Sequence, residues 1–254
     1  MAPPPSTTLT PLTVFTSLRY DPALLSCPAN TAASDVSTPF YLLSHHRDRM
    51  LAAVSHFSFP AASTSILHSL DAFTQRLQEA VTTSGSGSDP LKLKVSLSRT
   101  GAFTVDITPT PAVPLSQLFP SSLPVAGDSD WDLVIDPQST AKSSVTAYKT
   151  DSRDDYDSAR ARAGIDGWGE KREVVLWSEE EEVMEGSFTT VFLMRDNRWV
   201  TPADACGGQM GTSRRWALET GLATEGVVRR DEVKKGEWVV LSNGVRGFWG
   251  SRVV

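Results

Sequence analysis

The sequence predicts a mixed α/β fold, in which a small N-terminal α/β domain precedes a larger C-terminal domain that is rich in strands and carries a few helices. Three observations predict it. The first half combines an amphipathic helical period with a hairpin pattern, the stretch 108–130 is rich in proline and serine, and the second half consists mainly of β-prone runs. The predicted parts are a disordered leader at 1–11, the N-terminal domain at 12–120, an interdomain linker at 121–130 and the C-terminal domain at 131–254.

The N-terminal elements follow from the spacing of apolar residues and from the turn-forming residues between them. Ser44 is the predicted N-cap of the first helix. The predicted elements are a strand at 12–18, a loop at 26–39, a helix at 40–57, a second helix with apolar residues Ile66, Leu70, Phe73 and Leu77, and a hairpin of 91–98 with 102–107.

The C-terminal elements are mostly strands, separated by polar or glycine-containing turns. Four consecutive glutamates at 179–182 predict a solvated hairpin tip. The predicted elements are strands at 131–135, 144–150, 173–177, 183–196 and 238–241, and helices at 154–163 and 212–220.

Composition limits the class of protein. The chain has 254 residues, 40% of them hydrophobic and 21% charged, with a net charge of -6, which is typical of a globular protein and disfavours nucleic acid as the main partner. No apolar run approaches the roughly 18 residues of a membrane helix, and the start lacks the features of a signal peptide, so we expect a cytosolic protein. Two distant cysteines predict buried thiols and no metal site.

Three features of the second half could together hold pyridoxal 5'-phosphate, which needs an amine for a Schiff base, an acid at its pyridine nitrogen and an anchor for its phosphate. Lys149, at the end of a predicted strand, offers the amine. Glu185 lies within a predicted strand, and a buried carboxylate there would need a cationic partner such as a protonated pyridine. Thr212 and Ser213 begin a predicted helix, whose backbone N–H groups favour anions.

Each of these residues also has an ordinary interpretation. A lysine at a strand end is usually a solvated charge, and a carboxylate on a strand usually lies at the surface. Thr212 or Ser213 could simply cap the helix. His46 and Arg49 share one face of the helix 40–57, but such an arginine is more often a surface charge and such a histidine more often packs than binds a ligand.

The order and spacing of five short motifs resemble the class-IV aminotransferases, the fold-type-IV pyridoxal phosphate enzymes. This group includes branched-chain and D-amino-acid transaminases, R-selective amine transaminases and aminodeoxychorismate lyases. The resemblance runs from about residue 15 to residue 254. The motifs are L-S-H-H-R-D-R-M at 43–50, Y-K-T at 148–150, E-G-S at 185–187, R-W-V-T-P at 198–202 and G-T-S-R-R-W at 211–216.

The resemblance implies roles for individual residues. Lys149 would form the Schiff base and act in catalysis, Glu185 would bond the pyridine nitrogen, and Arg49 would bind the phosphate. It also implies a cofactor held between the two domains and a homodimer around it. The other cofactor-binding residues that the resemblance implies are Thr212, Ser213, Ser187, Asn243 and Gly244.

The sequence departs from the family pattern at two places. Thr189 and Thr190 stand where the family often has Ser-Asn. Asp151 follows Lys149 and Thr150 where many fungal-type relatives have a second threonine. The lysine, the acid and the phosphate-binding motif are all present.

Within the family, the chain most resembles fungal aminodeoxychorismate lyases, through K-T-x-x-R-x-x-Y over 149–156 and the ending S-N-G-V-R-G over 242–247. The implied reaction converts 4-amino-4-deoxychorismate to 4-aminobenzoate and pyruvate. A dicarboxylate substrate needs cations, and Arg19 and Arg99, both at predicted strand ends, are the candidates. Two alternatives are compatible with the same residues: a class-IV transaminase for D-amino acids, branched-chain amino acids or R-amines, and a non-catalytic protein that keeps the fold.

Overall fold

A computed structural model describes residues 12–124, 127, 129–167 and 169–254. The predicted disordered leader at 1–11 and part of the predicted linker lie outside the described residues. Among the residues that the structure describes, no helix combines the length and the apolar character needed to cross a membrane.

The first half forms a three-stranded antiparallel sheet in the order β1-β2-β3. The strands are β1 (Thr13–Tyr20), β2 (Leu91–Ser98) and β3 (Phe103–Pro109). Alternate residues of β2, such as Leu93, pack with Phe73 and Met50 of the helices in one buried cluster. The predicted hairpin is therefore confirmed, because its alternating pattern matches a sheet with one covered face.

Helices cover that face of the sheet. The helices of the first half are α1 (Pro28–Ser34), α2 (Leu43–His56), α3 (Ala61–Thr64) and α4 (Leu70–Ser84), with 3-10 turns at Pro22–Ser26 and Ser65–His68. The loop predicted at 26–39 is wrong where α1 forms.

The predicted cap of α2 is also wrong. Leu42, with φ 50°, precedes the helix, and its N–H donates to the side-chain oxygen of Asn30. Ser34 accepts the N–H of Leu43, while Ser44 lies inside the helix and donates to the Ser34 carbonyl. Side chains of α1 thus complete the first turn of α2, a distant contact that local spacing does not show.

The second half forms an eight-stranded mixed sheet in the order β6-β5-β4-β11-β10-β7-β8-β9. Its strands are β4 (Asp132–Ile135), β5 (Arg172–Trp177), β6 (Val183–Gly186), β7 (Thr190–Arg195), β8 (Arg198–Pro202), β9 (Thr224–Gly226), β10 (Trp238–Asn243) and β11 (Gly247–Val253). The helices are α5 (Leu115–Leu118), α6 (Ser144–Ala147), α7 (Asp154–Arg162) and α8 (Thr212–Glu219), with 3-10 turns at Asp204–Cys206 and Arg230–Glu232.

Two strand predictions are wrong in ways that affect the site. The run 144–150 begins as helix α6, because Ser143 and Thr146 form a reciprocal capping box, and only its end is extended. The run 183–196 is two strands, β6 and β7, separated by a turn at 187–189. The turn at 187–189 places Glu185 next to the end of β6.

β1 pairs with β2 along one edge, and its other edge contacts the second half of the chain. Val14 forms an isolated antiparallel bridge with Thr150, and the N–H of Phe15 donates to the carbonyl of Lys149 at 3.1 Å. Near the other end of the strand, the N–H of Arg19 donates to the carbonyl of Gly244 at 3.1 Å. The segment 149–151 and the turn after β10 therefore lie side by side along β1.

Candidate active site

Lys149 lies in the extended segment beside β1, with a half-buried side chain. Its Nζ is 3.4 Å from Oε1 of Gln209 and 4.9 Å from the centroid of the Phe15 ring. Burial, followed by the positive charges of Arg153 and Arg49, lowers the pKa of Lys149 well below its ordinary value. A lysine in this environment is uncharged at a lower pH than a solvated one, and only the uncharged amine is a nucleophile or a base.

Glu185 is buried at the end of β6 and faces the lysine through two intermediates. Its Oε1 accepts a hydrogen bond from the Tyr156 hydroxyl at 2.6 Å, and that hydroxyl accepts one from Nε2 of Gln209 at 3.0 Å. Burial raises the pKa of Glu185 to about 7, and the Tyr156 hydrogen bond opposes this rise. The side chain of Gln209 therefore connects the amine of Lys149 with the carboxyl of Glu185.

A second buried carboxylate, Glu173 on β5, holds the turn that follows Glu185. It accepts hydrogen bonds from the hydroxyls of Ser187 at 2.6 Å and Thr189 at 2.8 Å, and from the backbone N–H of Ser187 at 3.0 Å. The carbonyl of Ser187 accepts from Arg153 at 2.6 Å. This turn thus fixes both the end of β6 and the arginine whose charge lowers the pKa of the lysine.

Arg49 extends from α2 toward β1 and keeps one donor free for a ligand. Its Nη2 donates to the hydroxyl of Thr16 at 2.5 Å, and its Nε is buried without a hydrogen-bond partner among the described residues. Burial lowers the pKa of Arg49 to about 10. An unpaired buried guanidinium N–H is costly, so a bound anion would satisfy it.

The N-terminus of α8 lies near the same place, and Gly211 is its N-cap. Among the described residues no side chain caps this helix: the Thr212 hydroxyl lies 3.3 Å from Nε2 of His46, and the Ser213 hydroxyl lies 2.8 Å from that of Ser242. The interpretation that Thr212 or Ser213 is an ordinary cap is therefore wrong. The first turn offers uncapped N–H groups and a favourable dipole to an anion.

Gly244 closes this region from the turn after β10. A Cβ at this position would lie 2.4 Å from Cε1 of His46 and 2.9 Å from the Thr212 hydroxyl, so only glycine lets the backbone approach. The free donor of Arg49, the uncapped helix and this glycine fit a phosphate group. Together with the amine of Lys149 and the carboxyl group of Glu185, they suit pyridoxal 5'-phosphate.

Four of the residues predicted to bind cofactor or substrate have other partners in the structure. The Ser187 hydroxyl donates to Glu173, and the Asn243 side chain accepts the N–H groups of two following residues. Arg19 is fully buried and paired with Asp21 at 2.8 Å. Arg99 donates to two backbone carbonyls, at 2.8 and 3.1 Å. Within the described residues, none of these four side chains forms a hydrogen bond with the side chain of Lys149, which bonds Gln209.

Other residues of the site were not identified from the sequence. Tyr156 follows Lys149 at a spacing that places it on the inner face of α7, so the K-T-x-x-R-x-x-Y pattern could have indicated it. Gln209 and Glu173 lie in segments without a local signal. The residues that depart from the family pattern bond within the chain: Thr189 donates to Glu173, and Asp151 accepts the N–H of Thr13 at 2.9 Å.

Comparison with known proteins agrees with this geometry. Residues 31–253 match the family model for amino-transferase class IV. The aminodeoxychorismate lyase of Saccharomyces cerevisiae is 26% identical over 247 residues, covering 82% of this chain and 66% of that protein, just under two thirds of its length. A Schizosaccharomyces pombe protein provisionally named an aminodeoxychorismate lyase is 26% identical over 211 residues, covering 81% of both chains.

The fold agrees as well. The solved structure of a Mesorhizobium loti protein, provisionally assigned as an amino-acid aminotransferase, has a TM-score of 0.70 at 21% identity and covers 96% of this chain and 100% of its own. Because the family match spans most of the sequence and the fold is shared, this chain belongs to the class IV aminotransferase family.

Proposed function

We propose that the protein is a pyridoxal-phosphate-dependent lyase that converts 4-amino-4-deoxychorismate to 4-aminobenzoate and pyruvate. The observation that carries the proposal is the pairing of an amine and an acid: Lys149, with a lowered pKa, faces Glu185, with a raised pKa, through Gln209. The similarity to fungal lyases supports this reaction over others of the family.

The cofactor would lie between these groups. Its phosphate would be held by Arg49, by the first turn of α8 with Thr212 and Ser213, and by the backbone at Gly244. Its pyridine nitrogen would meet Glu185, whose carboxylate the Tyr156 hydroxyl already orients. Positive charge beside Glu185 lowers the pKa of this carboxyl, so a protonated ring would favour the ionised form.

Bound pyridoxal phosphate supplies an electron sink for the carbon that bears the substrate amine. Lys149 would take the proton from that carbon, because its lowered pKa leaves more of the uncharged amine available as a base than a solvated lysine has. Glu185 keeps the ring nitrogen protonated through an ionic hydrogen bond. Breaking of the ether C–O bond would then release enolpyruvate and leave an aromatic ring. The proton that Lys149 removed would return to the methylene carbon of enolpyruvate to give pyruvate, so the substrate divides into 4-aminobenzoate and pyruvate without a keto-acid co-substrate.

A cationic face beside the lysine suits a dicarboxylate. We define it as Lys92 and Lys94 on β2 and Arg246 after β10. Burial, followed by the charges of Lys94 and Arg246, lowers the pKa of Lys92. The charge of Lys92 is in turn a smaller contribution to the lowered pKa of Lys149, after burial and the two arginines. Lys94 Nζ lies 5.0 Å from the centroid of the same Phe15 ring that the catalytic lysine approaches.

No ion pair within the described residues involves the cationic face. Its charges are thus available to substrate carboxylates, unlike those of the two arginines suggested by the sequence. An enolpyruvyl ether with two carboxylates would find both the base and the cations on one side of the sheet.

The test is to measure pyruvate release from 4-amino-4-deoxychorismate by the purified protein, loaded with pyridoxal phosphate, without any keto acid. We expect stoichiometric 4-aminobenzoate and pyruvate, and a loss of at least about 100-fold in rate for Lys149→Ala, as expected for removing a catalytic base. Turnover only of an amine together with a keto acid would instead identify a transaminase. A protein that stays colourless with pyridoxal phosphate would be non-catalytic.

The assembly and the location are part of the same proposal. We expect a homodimer, as in the family that the sequence resembles, and sedimentation of the loaded protein tests it. We expect a cytosolic protein, which localisation of a tagged full chain tests.

A further inference from the structure

His46 connects the phosphate-binding residues through a continuous row of hydrogen bonds. The side chain is fully buried. Its Nδ1 lies 2.6 Å from the hydroxyl of Thr16, which accepts from Arg49 at 2.5 Å. Its Nε2 lies 3.3 Å from the hydroxyl of Thr212. The row therefore runs from Arg49 through Thr16 and His46 to Thr212.

Arg49 determines which groups donate and which accept along this row of hydrogen bonds. A guanidinium can only donate, so Thr16 accepts from Arg49 and has its own hydrogen left for Nδ1 of His46. A neutral imidazole that accepts at Nδ1 carries its hydrogen on Nε2 and donates it to Thr212. The hydroxyl hydrogen of Thr212 is then free to point at an anion in front of α8.

The surroundings keep the ring neutral and in place. Burial, followed by the positive charge of Arg49, holds the pKa of His46 well below its ordinary value. The backbone of Gly244 lies so close that a Cβ there would approach Cε1 and Nε2 of the ring to 2.4 and 2.6 Å. The ring thus has little room to turn away from its two hydroxyl partners.

We propose that His46 is a positioning residue. As the neutral Nε2–H tautomer it accepts a hydrogen bond from Thr16, which itself accepts one from Arg49, and it donates one to Thr212, whose hydroxyl then donates to the cofactor phosphate. We call this series of hydrogen bonds the relay. The part that concerns the phosphate rests on the proposed function. Thr16, whose hydroxyl bonds Arg49 and His46, then becomes a determinant of cofactor affinity through these two residues.

The tautomer can be observed directly. In the full-length protein labelled with ¹⁵N-histidine, the ring nitrogens of His46, assigned by comparison with a His46→Gln sample, should show a protonated Nε2 and an unprotonated Nδ1 at pH 7. The same tautomer is expected with and without inorganic phosphate. A proton on Nδ1, or on both nitrogens, would overturn the relay whether or not the protein binds pyridoxal phosphate.

Two substitutions separate the ends of the relay. His46→Gln places an amide nitrogen near Nε2 and can still donate to Thr212, whereas His46→Asn reaches only the Thr16 side. We expect His46→Asn to weaken pyridoxal phosphate binding, measured by absorbance titration, by about 10- to 100-fold, the loss for one hydrogen bond to a charged group. His46→Gln should remain within about threefold of the wild-type chain.

Thr16→Val provides the long-range test, because it keeps the β-branched shape and removes the hydroxyl. We expect it to weaken binding by about tenfold and to let the His46 proton move to Nδ1. Thr104→Val, at an exposed position of β3, is the matched control and should bind as the wild type does. Wild-type affinity for Thr16→Val would overturn the role of His46, whereas a wild-type chain that binds no pyridoxal phosphate would overturn the proposed function.

Discussion

Glu185 is a carboxyl group whose protonation changes near neutral pH. Burial raises its pKa to about 7 from 4.5, so the folded chain holds a proton there that the unfolded chain has already released. Between pH 4.5 and about pH 7 the folded state therefore binds more protons than the unfolded state, and the free energy of unfolding falls as the pH rises. The lowered pKa of Lys149 acts in the opposite direction at higher pH.

We expect the cofactor-free protein to lose on the order of 3 kcal/mol of unfolding free energy from this group between pH 4.5 and pH 7. Glu185→Gln has no such proton, so the difference between the two chains should change across that window and be constant above it. Urea unfolding at a series of pH values measures this difference. A difference that is the same at every pH would contradict the raised pKa.

The cationic face gives a second prediction at the scale of single residues. Lys94→Met removes a charge from the substrate side and leaves the cofactor residues in place. We expect KM for 4-amino-4-deoxychorismate to rise by about 10-fold or more, in keeping with the loss of a charge-assisted contact, with an unchanged cofactor absorbance. Arg99→Met is the matched control, since its guanidinium binds backbone carbonyls, and a KM effect there instead would restore the assignment made from the sequence.

At the scale of elements, the sequence pattern predicted those helices and strands whose residues and turns lie close together in the chain. The helix predicted at 154–163, observed as α7, and the hairpin of β2 with β3 were predicted because their patterns and turns lie within one segment. The end of β6 was not, because the turn at 187–189 forms on Glu173 from another strand. The family motifs assigned Lys149 and Glu185 to the same cofactor, but the contact of Gln209 with Lys149 became visible only in three dimensions.

The turn on Glu173 can be tested as an element. Glu173→Gln keeps the size of the side chain but turns one acceptor oxygen into a donor, leaving buried N–H and O–H groups unpaired. We expect a loss of roughly 2 kcal/mol in unfolding free energy at pH 8, measured with urea. Glu179→Gln, at the exposed tip between β5 and β6, should be neutral, and an equal effect of the two substitutions would argue against a stabilising role of the turn on Glu173.

At the scale of the molecule, the candidate site lies where the two sheets meet. α2 supplies Arg49 and His46, while the eight-stranded sheet and its connections supply Lys149, Glu185 and Gly244. Neither half contains both the amine and the arginine. We therefore expect cofactor binding at the candidate site to depend on the distance between the halves, even when no ligand-contacting side chain is altered.

Gly244→Ala tests the close approach of the Gly244 backbone to the ring of His46. The added Cβ would collide with the ring of His46, and overpacking of this kind costs about 1–3 kcal/mol. We expect a lower Tm and a reduced content of bound cofactor after gel filtration. Gly169→Ala, where a Cβ would meet nothing within 4 Å, is the control, and equal cofactor contents in the two variants would show that the close approach is not required.

The bonds of β1 have a consequence for how the protein matures. The strand is synthesised before all of its partners, which are β2, the segment beside Lys149 and the turn at Gly244, and the last of these lies far from it in the sequence. Contacts so distant in sequence form late in folding. A ribosome-bound nascent chain stalled before residue 244 should therefore take up no pyridoxal phosphate, so loading with cofactor is expected only after the turn at Gly244 has been synthesised.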